Sequence, residues 1–380
     1  MRIIYFSNSY PPYISGTAIF VSTLAKKMAE AGHEVMMVAP SMDGRLGKFK
    51  TGHLTEYFLQ SISNPFRQFH TLFWVPAAEV KALIAEFKPD VIHYNDLGLW
   101  PFVIAPWART KKISLVFTQH GMLDYIVFFL PLGRFILPWL TKEWQKALEL
   151  FDIITVPSLT MKSHLITDIG VTKKNLKIIS NGVDCQHFSV KKNLQNKLAL
   201  KKLPQKLKLL YVGRFEIEKA VLVLLRAVAL VKTPVQLRLV GNGGQLAALQ
   251  KEISKLNLTQ KVELVKALPE KQLKKYYHWA DVFVMPSPME AQSIVTLQAL
   301  ACGLPVIGPN SGALPELVLP TKTGWLFKSG SSQDLAKKIQ LASKSSLETR
   351  KRFGLAARNH ALKHDARKVF QAWLKLYRDL

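Results

Sequence analysis

Cysteine is nearly absent: Cys185 and Cys302 are the only two in 380 residues. Neither lies in a C-x-x-C pattern, and both sit beside apolar or turn-forming segments. A disulfide framework or a zinc site is therefore not supported, and a reducing cytosol is the expected setting. A secretory leader is not expected either, since Met1-Arg2 runs straight into an apolar, strand-like segment with no small-residue cleavage site. Long apolar runs are also missing. The longest tract, Tyr125 to Leu140, is broken by Pro131, Arg134 and Pro138. It falls short of the roughly 20 residues that a spanning helix needs, so no transmembrane segment is expected.

Acidic residues are scarce as well: 26 Asp and Glu against 52 Lys and Arg, a net charge of +26. The imbalance is concentrated in one half. Residues 1–184 hold 19 basic and 14 acidic side chains (net +5), and residues 185–380 hold 33 and 12 (net +21). Such a field attracts polyanions, either an anionic membrane surface or nucleic acid, and it also serves plain solubility. No recognised nucleic-acid motif accompanies it.

What is present is an ordinary globular composition, 48% hydrophobic and 21% charged, in a chain too long for one core, which points to two or three domains. Ile3 to Phe6 reads as a strand. Val21, Leu24, Ala25 and Met28 then follow helical spacing. Gly32 suits the position past a helix end, and Val35 to Val38 reads as the next buried strand. This βαβ opening favours a parallel sheet with helices on both faces. Further buried strands are predicted at Val91–Tyr94, Leu115–Thr118 and Ile153–Val156, and Lys177–Ile179 precedes the turn Asn181-Gly182. Residues 191–208 carry seven lysines and no acid, which suits a solvated connection. A second series begins at Leu209–Val212. It continues with a helix over roughly 219–231, strands at Gln236–Val240 and Val282–Met285, a helix near 293–302, and a strand at Pro305–Ile307. The expected fold is α/β, two Rossmann-like domains facing each other across a cleft at the carboxyl ends of their strands. Their limits are predicted at 1–186 and 187–360. The tail 361–380 is expected to form a helix that returns to the first domain, with Val369, Phe370, Trp373, Leu374 and Tyr377 on one apolar face.

Four constellations could carry chemistry. Arg214 follows Gly213 at a strand end, and Lys219 is predicted to open the next helix. Two cations at a helix start suit a diphosphate, whereas an ion pair with Glu216 or Glu218 is the plainer reading. Glu290 closes a loop after a strand, Gln298 lies eight residues on, and the amides near Gln292, Ser293 and Ile294 open a helix. That segment is either a ligand site or simply a capped helix. Gly16, in the loop YPPYISGT, would let backbone approach a phosphate or sugar, or it serves an ordinary turn. His120, in TQHG at a strand end, can donate to a sugar hydroxyl or phosphate oxygen, or it is structural. Asn95-Asp96 occupies a similar strand-end position.

The ordered motifs PPYISGT…GHEV, VIHYND, FTQHG, ISNGVD, YVGR…EK, LVGNGG, ADVFVMPSPME and ALACGLPVIG span nearly the whole chain. Together they resemble glycosyltransferase family 4, a retaining family with the fold called GT-B. The resemblance implies transfer of a sugar from a nucleotide diphosphate, UDP-sugars foremost, with retained configuration and no metal. It implies that Arg214 and Lys219 bind the donor diphosphate and that Glu290 contacts the donor sugar as the first acid of an E-x7-E pattern. Gln298 stands at the second acid, which usually binds ribose hydroxyls. Ala291, Gln292, Ser293 and Ile294 match the amide-rich segment beside the donor. His120 matches a histidine near the reacting sugar, and Gly16 matches the loop facing the diphosphate. Three features depart from the pattern. Ala220 replaces a glycine, Ala291-Gln292-Ser293 replaces a glycine-rich stretch, and Gln298 replaces an acid. They keep a non-catalytic nucleotide-sugar-binding relative in view.

The aromatic stretches LWPFVIAPW (99–107) and DYIVFFLPLGRFILPWLTKEW (124–144), with Phe66, Phe69, Phe73 and Trp74, suit shallow burial in a bilayer, or they are core. The form ISGT resembles family members that glycosylate diacylglycerol and related lipids. The expected protein is therefore a peripheral enzyme on an anionic inner leaflet, facing the cytoplasm, with a membrane lipid such as diacylglycerol as acceptor. A polyprenyl-linked or cell-envelope glycan is the second acceptor class.

Overall fold

A computed structural model of the protein describes residues 1–13, 15–63, 71–72, 76–95, 100–121, 133–172, 175–191 and 206–380. Asp96, the aromatics Phe66, Phe69, Phe73 and Trp74, residues 124–132 of the second aromatic stretch and residues 192–205 of the lysine-rich segment lie outside these ranges. The chain divides into two units, Met1–Ser180 with Val369–Leu380, and Asn181–Lys368.

The first unit carries strands β1 (Arg2–Phe6), β2 (Glu34–Pro40), β3 (Gly47–Thr51), β4 (Leu54–Leu59), β5 (Ile62–Ser63), β6 (Thr71–Leu72), β7 (Val91–Tyr94), β8 (Ser114–Thr118), β9 (Ile153–Val156) and β10 (Leu176–Ile178). Eight of them form one sheet in the order β10-β9-β8-β7-β1-β2-β4-β3, and β5 pairs with β6. Every neighbour in the eight-stranded sheet is parallel except β3 against β4. The strands read as continuous apolar runs because both faces are covered; Ile3 to Phe6 are all buried. The helix Gly16–Glu30 is capped by the Ser15 hydroxyl, which accepts from the Ala18 amide at 3.1 Å. It is followed by Gly32 at φ +86°, the left-handed geometry expected there.

The C-terminal helix, Ala366–Arg378, buries Trp373, Leu376 and Tyr377 in the same core as Tyr5, Phe20 and Val21. Within that core lies a line of hydrogen bonds. Tyr377 donates to the Tyr5 hydroxyl at 3.1 Å and meets His93 Nδ1 at 2.6 Å, while His93 Nε2 meets Thr118 Oγ1 at 2.6 Å. Burial holds the His93 pKa well below the ordinary histidine value.

The second unit holds β11 (Leu207–Val212), β12 (Val235–Val240), β13 (Val262–Val265), β14 (Val282–Val284), β15 (Val306–Pro309) and β16 (Gly324–Phe327), all parallel, in the order β13-β12-β11-β14-β15-β16. The observed boundary falls at 180/181, not 186/187. Val183 donates from its backbone nitrogen to His364 and accepts from Ala366, and Val183, Cys185 and Phe188 pack into the second core. The return to the first unit begins at Val369, not 361, because the helix Leu347–Ala361 packs on the second unit through Ala357 and Ala361.

His364 in this second unit also titrates low, at about 4, chiefly through burial, with His360 beside it acting in the same direction. A histidine kept neutral by folding binds fewer protons than its unfolded form below the unfolded pKa of roughly 6.5. Stability is therefore full above that value and falls as the pH drops toward 4. Each such histidine contributes at most about 1.4 kcal/mol per pH unit. The expected result is a melting temperature that declines continuously from pH 6.5 to 4, measured by circular dichroism; a flat profile would refute the assignment.

Candidate active site

In the second sheet the chain runs outward from β11 through β12 to β13 on one side and from β14 through β15 to β16 on the other. The switch point of this doubly wound sheet thus lies between β11 and β14, where ligands collect outside the carboxyl ends of such strands. The loops leaving β11 and β14 carry Arg214, Lys219 and Glu290.

The loop after β11 is locked by backbone contacts. Gly213 donates to Val240 at 3.0 Å and Phe215 to Asn242 at 2.8 Å. A Cβ on Gly241 would stand 1.9 Å from the Gly213 carbonyl oxygen, so only glycine lets the ends of β11 and β12 approach this closely. The Tyr211 hydroxyl donates to the Arg214 carbonyl at 2.7 Å. From that frame Arg214 Nη2 donates to Glu218 Oε1 at 2.9 Å, and Glu218 is buried. The ion pair foreseen as the plainer reading of Arg214 does form, and it fixes the guanidinium at the strand end.

Lys219 does not open the following helix as expected. It ends a short 3₁₀ turn, Ile217–Lys219, and Ala220 separates it from the helix Val221–Leu230. Ala220 adopts φ +50°, a left-handed geometry that costs a residue with a Cβ roughly 1 kcal/mol. Here the departure from glycine has a structural cost, and Ala220→Gly is expected to raise the melting temperature by roughly 2 °C. A lowered melting temperature in that variant would contradict the strain.

Lys219 Nζ donates to Glu290 Oε1 at 2.7 Å, with the two side chains 17% and 10% exposed. The Glu290 loop is pinned in turn. Its carbonyl accepts from the Ala313 amide at 2.8 Å, and a Cβ on Gly312, at φ +55°, would stand 2.9 Å from the Glu290 nitrogen. The Ser287 hydroxyl donates to the Glu218 carbonyl at 3.2 Å, tying the β14 loop to the Arg214–Glu218 pair. Two cations and two carboxylates are thus gathered at one switch point.

The segment after Glu290 is an efficiently capped helix start. Ala291, Gln292 and Ser293 are buried. Gln292 Oε1 accepts from the Asn181 amide at 2.7 Å, and Ser293 Oγ accepts from Thr296 ahead of the helix Ile294–Ala301. Gln298 is 1% exposed, and both ends of its carboxamide are used internally. Tyr277 donates to its oxygen, and its nitrogen donates to Glu270 Oε1, both at 2.8 Å.

In the first unit the switch point lies between β1 and β7. His120 follows β8, half-buried, with Nε2 3.5 Å from Asn95 Oδ1 and its ring 4.7 Å from that of Phe20. Phe20 belongs to the helix that Gly16 opens. Gly16 takes helical geometry there and is not in a left-handed turn. His120, Asn95 and the start of that helix therefore gather at the carboxyl edge of the first sheet. Glu270, Tyr277 and Ser287 carried no sequence reading, and Glu218 was read only as one of two possible ion-pair partners of Arg214.

Residues 192–360 match the family described as Glycosyl transferases group 1, and residues 14–187 match Glycosyltransferase Family 4. The sulfoquinovosyl transferase SQD2 of Arabidopsis thaliana is 27% identical over 96% of this chain and 71% of its own length. The alpha-monoglucosyldiacylglycerol synthase of Streptococcus pneumoniae is 27% identical over 86% of this chain and 75% of its own. Among solved structures, a sucrose-phosphate synthase from Thermosynechococcus elongatus superposes with a TM-score of 0.81 at 23% identity, covering 100% of this chain and 98% of that one. Anabaena HepE in complex with UDP-glucose gives 0.75 at 20% identity, with both chains fully covered. The fold is GT-B, and the chain belongs to glycosyltransferase family 4.

Proposed function

We propose that this glycosyltransferase moves a sugar from a nucleotide diphosphate, UDP-sugars foremost, to a membrane lipid such as diacylglycerol, with retention at the anomeric carbon. The observation that carries the donor reading is the Lys219–Glu290 pair beside Arg214 at the switch point of the second sheet. A sparsely hydrated lysine held by one carboxylate is a cation that an incoming diphosphate can recruit. Lys219 then exchanges Glu290 for phosphate oxygen, and Glu290 becomes available to a donor-sugar hydroxyl. Arg214, backed by the buried Glu218, takes the second anionic share. Both cations oppose charge that grows on the leaving diphosphate as the sugar departs, and fixed charges of this kind are worth several kcal/mol in a transition state. The acceptor hydroxyl attacks from the face the diphosphate leaves. His120 donates to the reacting sugar.

Two observations support a lipid acceptor. The relatives include proteins named for sulfoquinovosyl transfer and for glucosyldiacylglycerol synthesis. The helix Gly133–Leu148 buries Trp144, Ala147 and Leu148 but leaves Trp139 65% exposed, with Ile136 also outward and Lys142 and Lys146 on its surface. An exposed tryptophan among lysines suits the headgroup region of an anionic leaflet, which supports a peripheral position on the inner face of the cell membrane.

The test incubates purified protein with UDP-, GDP- and ADP-sugars and phosphatidylglycerol vesicles holding diacylglycerol or a polyprenyl phosphate, with products read by mass spectrometry. Glycosylated diacylglycerol is expected. Glycosylated polyprenyl phosphate alone would replace the acceptor reading. Donor binding without transfer to any acceptor would favour the non-catalytic relative that Ala220 and Gln298 keep in view.

A further inference from the structure

Glu270 is the first residue of the helix Glu270–Trp279, which follows β13. It therefore stands on the carboxyl edge of the same sheet that presents Arg214, Lys219 and Glu290. Three features make it unusual. It is exposed, yet its carboxylate is anchored from below, with Gln298 Nε2 donating to Oε1 at 2.8 Å. The anchor is itself rigid, because Gln298 is 1% exposed and its oxygen is held by the wholly buried Tyr277. Finally, the carboxylate stands in the unit with most of the +26 charge, yet among the described residues it forms no ion pair with a lysine or arginine, and His187 and Asp184 are charges near it. Partial desolvation raises its pKa, with the Gln298 bond opposing that shift.

A fixed carboxylate outside any ion pair among the described residues suits neutral donors. One amide N–H occupies a fraction of its acceptor capacity, since two carboxylate oxygens offer about four lone pairs. In doubly wound sheets an acidic residue at the strand ends commonly takes ribose hydroxyls while the pyrophosphate sits at the switch point. A vicinal diol presents two O–H donors on adjacent carbons, matched in spacing to carboxylate oxygens.

We propose that Glu270, positioned by Gln298 and Tyr277, accepts hydrogen bonds from the ribose 2′- and 3′-hydroxyls of the donor nucleotide. This inference rests on the donor reading above. The acid that position 298 lacks is supplied from the neighbouring helix, and Gln298 acts by orienting it. Gln298 is thus a positioning residue and Glu270 the binding residue.

Calorimetric titration of UDP and of 2′,3′-dideoxy-UDP tests this on the full chain, with GDP or ADP pairs substituted if the wild type prefers those bases. Wild type is expected to favour the ribonucleotide by about 30-fold or more, the size of charge-assisted hydrogen bonds to two hydroxyls. In Glu270→Gln that preference should shrink about tenfold, while dideoxy-UDP binds as before and the melting temperature holds. Gln298→Ala should shrink it less. An unchanged preference in Glu270→Gln, or equal weakening of both nucleotides, would overturn the assignment, as would a wild type indifferent to the diol. A wild type that binds no nucleoside diphosphate fails at an earlier point, refuting the donor reading and this inference together.

Discussion

Replacing Lys219 with Ala is expected to lower kcat/KM for the sugar donor by about 10²- to 10³-fold, the usual loss when one fixed donor is withdrawn from a developing anion. Two effects add in the same direction. On the proposed donor reading, the departing diphosphate would lose one of its two cations. Glu290, whose side chain is 10% exposed, also loses the ammonium 2.7 Å away and becomes a poorly solvated carboxylate facing an anionic ligand. The second effect predicts coupling, so Lys219→Ala with Glu290→Gln should cost less than the two single losses combined. Arg214→Ala should behave similarly, with the buried Glu218 left unpaired. Steady-state kinetics over donor concentration, with melting temperatures as a folding control, measure all four variants. A Lys219→Ala enzyme within twofold of wild type would remove the lysine from the site.

Trp373→Ala is expected to destabilise the first unit by about 3–5 kcal/mol, the cost of emptying a fully buried tryptophan site. Its ring is 0% exposed, with centroids 5.9 Å from Phe20, 5.0 Å from His93 and 5.6 Å from Tyr377. The loss is one of packing, since Trp373 Nε1 has no hydrogen-bond partner among the described residues. Trp373→Phe should therefore recover much of the stability. The same contacts give the substitution a reach into the site, because Phe20 touches both Trp373 and His120. Urea unfolding followed by fluorescence and circular dichroism would measure the change. A shift below about 1 kcal/mol would mean that the C-terminal helix is a loose appendage and not part of the core.

The sequence displayed most clearly what periodicity alone determines. The strands at Val91–Tyr94 and Ile153–Val156 and the opening helix ending before Gly32 were legible because parallel strands and their covering helices are apolar runs of distinct length. The hairpin of β3 and β4 was not, since β3 reads GKFKT and is mostly exposed. The unit boundary, expected at 186/187, falls at 180/181 because Val183 pairs with His364 and Ala366 and packs with Phe188 in the second core, and partners so distant in sequence leave no local signal. At the site, residue types announced Arg214, Lys219 and Glu290 and a local ion pair for Arg214, but not the distant partners of Lys219 and Gln298. Lys219 meets a carboxylate 71 residues away, and Gln298 meets one 28 residues away. Ala220 could be noticed as a departure, but its left-handed backbone could not.

Titrating UDP into wild type, Arg214→Ala and Lys219→Ala by calorimetry addresses the diphosphate site most directly. Each substitution should weaken binding at least about tenfold, roughly 1.4 kcal/mol per charge-assisted contact, with the folded state retained. Equal affinity in all three proteins would show that the nucleotide binds elsewhere.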